Sequence, residues 1–353
     1  MTQVDVLIVG GGIAGASLGA EIAASRSVLL IEAEPVCGFH STGRSAAFWL
    51  ESYGGPVVAQ LSAGSRDFLD RPPRDFSETG FLRTRGDLHL VRDELPEIPA
   101  SVETRIVERA ELEKLVPGLR PEWRRALLEP GCADIDVAAL HAAYLRRFRQ
   151  AGGEVRTDSA LVSAVRRGGC WQATLRDGRA TEAKTIVDAA GAWADLDPAL
   201  PFPIPVEPVS GQIVELTDDG PFPTVLGSDE VYLVPRGRRI LVGATVERTG
   251  FRKEVTAAGV AELLSAAIGL APSLARARVT GSWSGLRPGT PDDLPILGES
   301  PIRGLFLAAG HFRNGILLAP LTALLLADAV TGVLSRDLSL FSPERFAGAT
   351  RVG

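Results

Sequence analysis

Apolar positions along the chain change their spacing several times, and each change marks an element. Residues 4–9, VDVLIV, read as a short strand that stops at three glycines. Residues 13–24 are rich in small apolar side chains and read as a helix; SVLLI at 27–31 is a second buried strand, ending at Glu32. Strand, turn, helix and strand within about thirty residues make a βαβ unit. A loop rich in Gly, Ser and Thr follows at 38–45, then a helical stretch at 56–69. Between 80 and 130 the pattern shortens to alternating segments such as LHLV at 88–91, separated by prolines. An amphipathic helix is predicted over 137–150, with Asp134 or Asp136 as its N-cap. Strands are predicted over 154–165, in CWQATL and in TIVDAAG. The proline-rich stretch 198–208 reads as a crossing between domains, and 211–246 is strand-rich, with QIVEL, VYLVP and RILVGA. A helix is predicted over 257–270. LFLAAG at 305–310 then leads through HFRNG into the apolar run 315–330. That run contains Pro320 and Asp328 and is shorter than a membrane span requires, so it reads as a buried helix.

This order predicts an α/β fold with an α+β, two-domain layout. A Rossmann-type nucleotide-binding domain is expected from 1–80, 131–205 and 281–353. An inserted antiparallel-sheet substrate domain is expected from 81–130 and 206–280. The 353 residues are ample for both cores. A net charge of −6 argues against a nucleic-acid partner, since phosphate-tracking proteins carry a basic face. The short basic clusters Arg146, Arg147, Arg149 and Arg236, Arg238, Arg239 read as solvated faces. Cys37, Cys132 and Cys170 are scattered and odd in number, with neither disulfide nor zinc spacing. With no signal-peptide pattern at the N-terminus, they place the chain in the cytoplasm as an expectation. No metal site is expected.

The motif Gly10-x-Gly12-x-x-Gly15 sits between the first strand and the first helix. Gly10 allows the tight turn, Gly12 lets the backbone approach a pyrophosphate, and Gly15 permits close helix–strand packing. A phosphate placed there meets the positive end of the helix. Glu32, twenty-two residues after Gly10, can accept hydrogen bonds from ribose hydroxyls and repels a 2′-phosphate. On this motif alone the dinucleotide can be NAD or FAD.

AAGHFRNGILLAP at 308–320 is a second strand–turn–helix. Its helix start can face an acceptor on which negative charge gathers, or it can be a packing turn. Arg287, in GLRPGTPDDLP, is suited to gripping a carboxylate by two parallel hydrogen bonds, and a surface ion pair is the plain alternative. Tyr232, in VYLVP, can add a hydroxyl to the same carboxylate. Arg313 lies in the HFRNG turn, and Tyr53 and Asp87 are weaker candidates. Asp87 is expected to be an exposed turn acid. His40 and His311 flank glycine-containing loops and can touch a flavin or carry it covalently; a simple loop role is the plain alternative.

Taken together, these motifs resemble the D-amino-acid oxidase-like family of FAD-dependent amine oxidoreductases, over nearly the whole chain. HSTGRSAA at 40–47, Tyr53-Gly54 and SRDFLDRPP are similar to its D-arginine dehydrogenase branch. YLVPRGRRILVGAT, GLRPGTPDDLPILG and AAGHFRNGILLAP are similar to its glycine oxidase branch. The resemblance implies non-covalent FAD, because no cysteine lies between 171 and 353 to attach it. It implies that Gly10, Gly12, Ile13, Ala14, Gly15, Glu32 and Ala33 hold the ADP half. Ser41, Thr42, Arg44, Ser45, Ala46 and Ala47 would run along the pyrophosphate and the ring. Val162 would contact the adenine through its backbone, and Gly191 and Trp193 would line the site. Gly310, His311, Phe312, Arg313, Asn314, Gly315, Ile316 and Leu317 would wrap the flavin ring. Arg287 and Tyr232 would fix the substrate carboxylate, with Arg313, Tyr53 and Phe48 nearby. Phe48 stands where the D-arginine dehydrogenase branch carries His, and Gly211 or a neighbour where it carries Arg, so a basic substrate is not implied. Glu230 stands where the glycine oxidase branch carries His.

The expected function is oxidation of a small amino acid or amine, with hydride leaving its α-carbon and the product imine hydrolysing. The expected partners are that small molecule and O2 or another electron acceptor. A dehydrogenase that passes electrons to a quinone, a 2-hydroxy acid dehydrogenase and a non-catalytic flavoprotein scaffold stay open. So does a homo-oligomer.

Overall fold

The computed structural model describes residues 2–92, 95–96, 98–194, 204–218, 222–333 and 337–346. The apolar run at the N-terminus becomes the strand Thr2–Val9 at the centre of the first sheet. It pairs in parallel with Val28–Ile31 on one side and Ala180–Asp188 on the other. Glu154–Arg156 and Leu305–Ala309 extend the parallel set at its two ends. Parallel strands need crossover connections, and the helix Ile13–Ile22 supplies the first. Leu161–Arg167 and Cys170–Leu175 add an antiparallel hairpin at one end of this sheet.

The second sheet runs in the order Arg278–Gly289, Glu207–Thr217, Arg239–Gly243, Tyr232–Arg236, Val225–Gly227, Asp87–Val91, Arg125–Glu129 and Arg105–Glu108. Its pairs are antiparallel except one. Val225–Gly227 lies parallel to Asp87–Val91, at the junction of the two chain segments that build the sheet. Residues 281–289, expected with the nucleotide unit, lie instead in the long strand Arg278–Gly289 and pair along Glu207–Thr217. A small third sheet joins Phe48–Trp49, Ala133–Ile135 and Leu82–Thr84. The chain thus has a mixed α/β fold, with a Rossmann-like region and a separate sheet-rich region. Part of the proline-rich crossing expected over 198–208 lies outside the described residues.

Between the first sheet and its helices, Ile13–Ile22, Val137–Gln150 and Gly315–Thr331 share one core with Trp49; Trp49 and, from the second of these helices, Tyr144 and Phe148 are fully buried. Gly19 lets the first helix sit directly on the Phe148 ring; a Cβ there would lie 3.1 Å from it. Phe148→Ala would therefore open a cavity costing about 3–5 kcal/mol. Asp136, of the two cap candidates, accepts from the Ala139 N–H at 3.0 Å. Asp134 is engaged elsewhere. The loop expected over 38–45 contains one helical turn, Ser41–Arg44. No helix among the described residues is long and apolar enough to cross a membrane.

Candidate active site

One cavity of about 990 Å³ opens between the two large sheets. At its first end, Gly10 takes φ 108°, a left-handed conformation that a side chain would strain. Gly15 does not border the cavity. It closes the turn from behind, where a Cβ would run into the Gly10 carbonyl. Glu32 is already oriented: it accepts from the N–H groups of Gly11 at 2.8 Å and Glu34 at 3.0 Å. Thr42 accepts from the Ile13 N–H at 3.0 Å, joining the loop to the helix start. Among the described residues the N–H groups of Gly12 and Ala14 have no partner. Such unsatisfied donors at a helix N-terminus suit an anion. His141, on the helix Val137–Gln150, donates from Nε2 to the Gly11 carbonyl at 2.9 Å. Sequence reasoning missed it, because a histidine on an amphipathic helix carries no motif.

The second helix start repeats this arrangement. Phe312 N–H donates to the Pro288 carbonyl at 3.0 Å, fixing the HFRNG turn on the second sheet. The N–H groups of Gly315, Ile316 and Leu317 have no partner among the described residues. His311 is buried at 7 % exposure, and burial lowers its pKa to about 4. The imidazole is therefore neutral at neutral pH. Two residues facing the cavity carry backbone strain, Ala47 at φ 45° and Phe312 at φ 46°. Each costs roughly 1–3 kcal/mol and needs its surroundings to hold it.

At the far end, Arg287 donates from Nη1 to the carbonyls of Ser210 at 3.3 Å and Thr245 at 3.2 Å. Its guanidinium lies over Gly211, where a Cβ would collide with it. Tyr232 lies in the same way against Gly243, its cross-strand neighbour. A glycine in mid-strand signals close approach of another group, and that signal points to both positions. Burial pushes the Tyr232 hydroxyl above its usual pKa, with Arg287 pulling the other way. The Phe48 ring meets the Tyr232 ring edge-on at 5.3 Å. Arg313 is exposed, bonds the Tyr53 hydroxyl at 2.6 Å and stacks over the Phe312 ring at 4.7 Å. Behind Arg287, Gln212 N–H donates to the Thr245 hydroxyl at 2.9 Å, and Glu247 accepts from both of these side chains at 2.7 Å. These groups stiffen the Thr245 carbonyl that holds the arginine.

Every residue expected at the cofactor or substrate borders this cavity except Gly15 and Val162. Val162 is 50 % exposed on the first sheet's outer hairpin; Ser159, Ala160 and Leu161 line the cavity instead. Asp87 is not an exposed turn acid. It lies 5 % exposed in its strand, opposite Glu129 and away from the cavity lining. His40 bonds Glu34 at 2.8 Å and packs against Trp193 with ring centroids 4.3 Å apart and planes tilted by 40°, on the cavity wall. The three cysteines are free, and no group of three or more metal-ligating side chains occurs among the described residues.

The signature of the FAD dependent oxidoreductase (DAO) family matches residues 5–329. The chain belongs to that family. It is an FAD-dependent oxidoreductase, related to glycine and amino-acid oxidases. It is 33 % identical over 386 residues to a glycine oxidase of Geobacillus kaustophilus, covering 99 % of this chain and 98 % of that one. A crystal structure of glycine oxidase from Geobacillus kaustophilus superposes with a TM-score of 0.87 at 30 % identity, over 98 % and 99 % of the two chains. The iminodiacetate oxidase of Chelativorans sp. BNC1 superposes with a TM-score of 0.85 at 29 % identity, over 96 % and 98 %. The chain is also 32 % identical over 368 residues to the bifunctional protein ThiO/ThiG of Synechocystis sp., with 99 % of this chain covered. It spans only 55 % of that longer protein's length. The two sets of free helix-start amides and the side-chain-free glycine turn fit an FAD laid along the cavity.

Proposed function

We propose that this enzyme oxidises glycine or a small N-alkyl glycine, in the manner of the glycine oxidases it resembles. The observation that carries the reading is Arg287. It is a guanidinium facing the cavity, without a carboxylate partner among the described residues, and fixed by two carbonyls rather than by a counter-ion. A substrate carboxylate supplies the missing charge, and Tyr232 adds a hydroxyl beside it. The protonated Tyr232 hydroxyl donates to that carboxylate and removes no proton. Phe48 and Tyr232 wall the pocket with aromatic rings, which favours a small substituent at the α-carbon. FAD, when bound, supplies a two-electron hydride acceptor, so that the amine becomes an imine and water then releases a keto acid and ammonia or an amine. The chain's own work is to bind and orient: Arg287 and Tyr232 hold one end of the substrate, and the HFRNG turn holds the cofactor ring. Neutral His311 adds no positive charge there. Gly10 to Ala14, Glu32 and the 41–47 segment hold the nucleotide part. Among the described residues, the nucleotide domain comprises 2–80, 131–194, 204–205, 290–333 and 337–346; the substrate domain takes the other described residues, including 281–289.

The deciding experiment is anaerobic bleaching of the bound flavin by a panel of glycine, N-methylglycine, D- and L-amino acids, and 2-hydroxy acids. Bleaching by glycine or N-methylglycine is expected. Bleaching by 2-hydroxy acids alone would overturn the reading. Recolouring of the bleached enzyme in air identifies O2 as the acceptor, and a slow return identifies a dehydrogenase.

A further inference from the structure

The basic cluster at Arg236 to Arg239 is not simply a solvated face. The strands Tyr232–Arg236 and Arg239–Gly243 form a hairpin in which Arg236 and Arg239 stand opposite each other. Arg239 points outward and pairs with Glu215 at 3.2 Å. Arg236 turns inward and its side chain is only 20 % exposed. Its Nη1 pairs with Asp134, whose other oxygen pairs with Arg85. Its Nη2 donates to the carbonyls of both Ala46 and Ala47 at 2.7 Å. Two cations therefore share one buried carboxylate, and the surplus charge falls on two backbone carbonyls of the cavity wall.

Those carbonyls belong to the strained stretch. Ala47 sits at φ 45°. Its N–H donates to Ser45 Oγ at 3.1 Å, and its carbonyl also accepts from the Ile135 N–H at 3.0 Å. A left-handed alanine is unfavourable by itself, so these bonds must hold it. The next residue is Phe48, whose backbone pairs with Asp134 and whose ring meets Tyr232. A shift of the Ala47 backbone thus moves Ala46 and Ala47 on the cofactor side and Phe48 on the substrate side.

We propose that Arg236, clamped by Asp134, which Arg85 holds from its other oxygen, is a positioning residue that sets the Ala46–Ala47–Phe48 wall against the flavin and the substrate. The inference rests on the reading of the cavity as an FAD and amine site. An arginine suits the task because its planar fork reaches a carboxylate and two carbonyls at once, which a lysine's point charge does not reproduce. A role confined to stability would leave the cavity wall in place.

The test uses purified holoenzyme with Arg236→Met, Arg236→Lys and, on the same hairpin, Arg239→Met. Three quantities are read: the visible absorbance band of the bound flavin, the FAD release rate and the anaerobic bleaching rate with the substrate that the wild type accepts. Arg236→Met is expected to retain FAD, to shift the flavin band, and to bleach about 100-fold more slowly, the scale for a reacting group misplaced by about 1 Å. Arg236→Lys should lie between it and the wild type, and Arg239→Met should match the wild type. A wild-type band and rate in Arg236→Met, even with a lowered Tm, would overturn the proposal; so would equal changes in Arg239→Met. If Arg236→Met does not fold, Arg236→Lys decides: a slowed rate with FAD retained supports the role, and a wild-type rate overturns it. A wild type that binds FAD but bleaches with no amine sinks the proposed function, and the band comparison still judges Arg236.

Discussion

At the Gly10 end of the cavity the donors facing it are backbone N–H groups; at the Arg287 end they belong to a side-chain guanidinium. The first arrangement is made by one stretch of chain, strand to turn to helix, and its donors are fixed by the helix itself. The second needs three strands of the other sheet: one carries Arg287, one supplies Ser210 and the open face of Gly211, and the chain beyond a third supplies Thr245. A backbone cradle tolerates many side chains but no Cβ at its turn. A side-chain grip tolerates backbone variation but depends on its neighbours for direction.

The largest expected effect follows from the cradle. In Gly10→Val a Cβ would collide with the Ala189 carbonyl, and valine is strained at φ 108°. FAD affinity should fall by at least about 1000-fold, scaling with several kcal/mol of clash and strain. Equilibrium titration of apoprotein by flavin fluorescence measures it. FAD retained at wild-type affinity would show that the cradle is not where the cofactor binds.

Arg287→Ala should do the opposite. It leaves the cradle untouched, so FAD affinity stays within a few-fold, while kcat/KM falls by about 100- to 1000-fold, as for loss of one partner of a charge-assisted pair. Steady-state kinetics on the best amine substrate and FAD titration on the same preparation separate the two ends. Loss of FAD together with activity would erase the distinction between them.

This difference also explains what could be read from the chain before its fold was known. The cradle is local, so Gly10, Gly12 and Glu32 announce themselves by spacing. Arg287 and Tyr232 stand out as residue types beside Pro and Gly, but their supports do not. Ser210 and Thr245 lie 77 and 42 residues from Arg287, and no periodicity links them. Asp134 passed for a helix cap, and Arg236 for part of a charged tip, because nothing local shows a hairpin end turning inward onto a strand 102 residues away. Asp87 read as an exposed turn acid, since the strand that buries it arrives only 38 residues later in Arg125–Glu129.

A smaller effect sharpens the picture of the grip. Gly211→Ala places a methyl where the Arg287 guanidinium lies. The arginine keeps its charge but loses its direction. KM should rise about tenfold with kcat changed less, since a displaced carboxylate anchor weakens binding before chemistry. FAD affinity should stay at the wild-type value. A KM equal to the wild type's would mean that Arg287 has other productive positions, and that its two carbonyl bonds do not set the substrate.

The smallest effect concerns pH, and it comes from within the second sheet rather than from either end of the cavity. Burial, with Glu129 opposite, pushes the Asp87 carboxyl up to about 8 from an ordinary value of 3.8. The folded protein therefore holds a proton that the unfolded chain gives up. Its stability contribution is complete below the unfolded pKa and is lost as pH rises through that of the folded state. Wild-type Tm should accordingly fall as pH rises from about 6 to 9, and Asp87→Asn, which cannot ionise, should fall by some 3 °C less over that range. Thermal melts of the FAD-saturated proteins across this range test it. Parallel Tm curves would mean that water or a rearranged Glu129 already compensates the Asp87 charge, and that the alkaline limit lies elsewhere in the molecule. FAD affinity measured over the same range should be the same in both proteins, because neither the cradle nor Arg287 touches this acid.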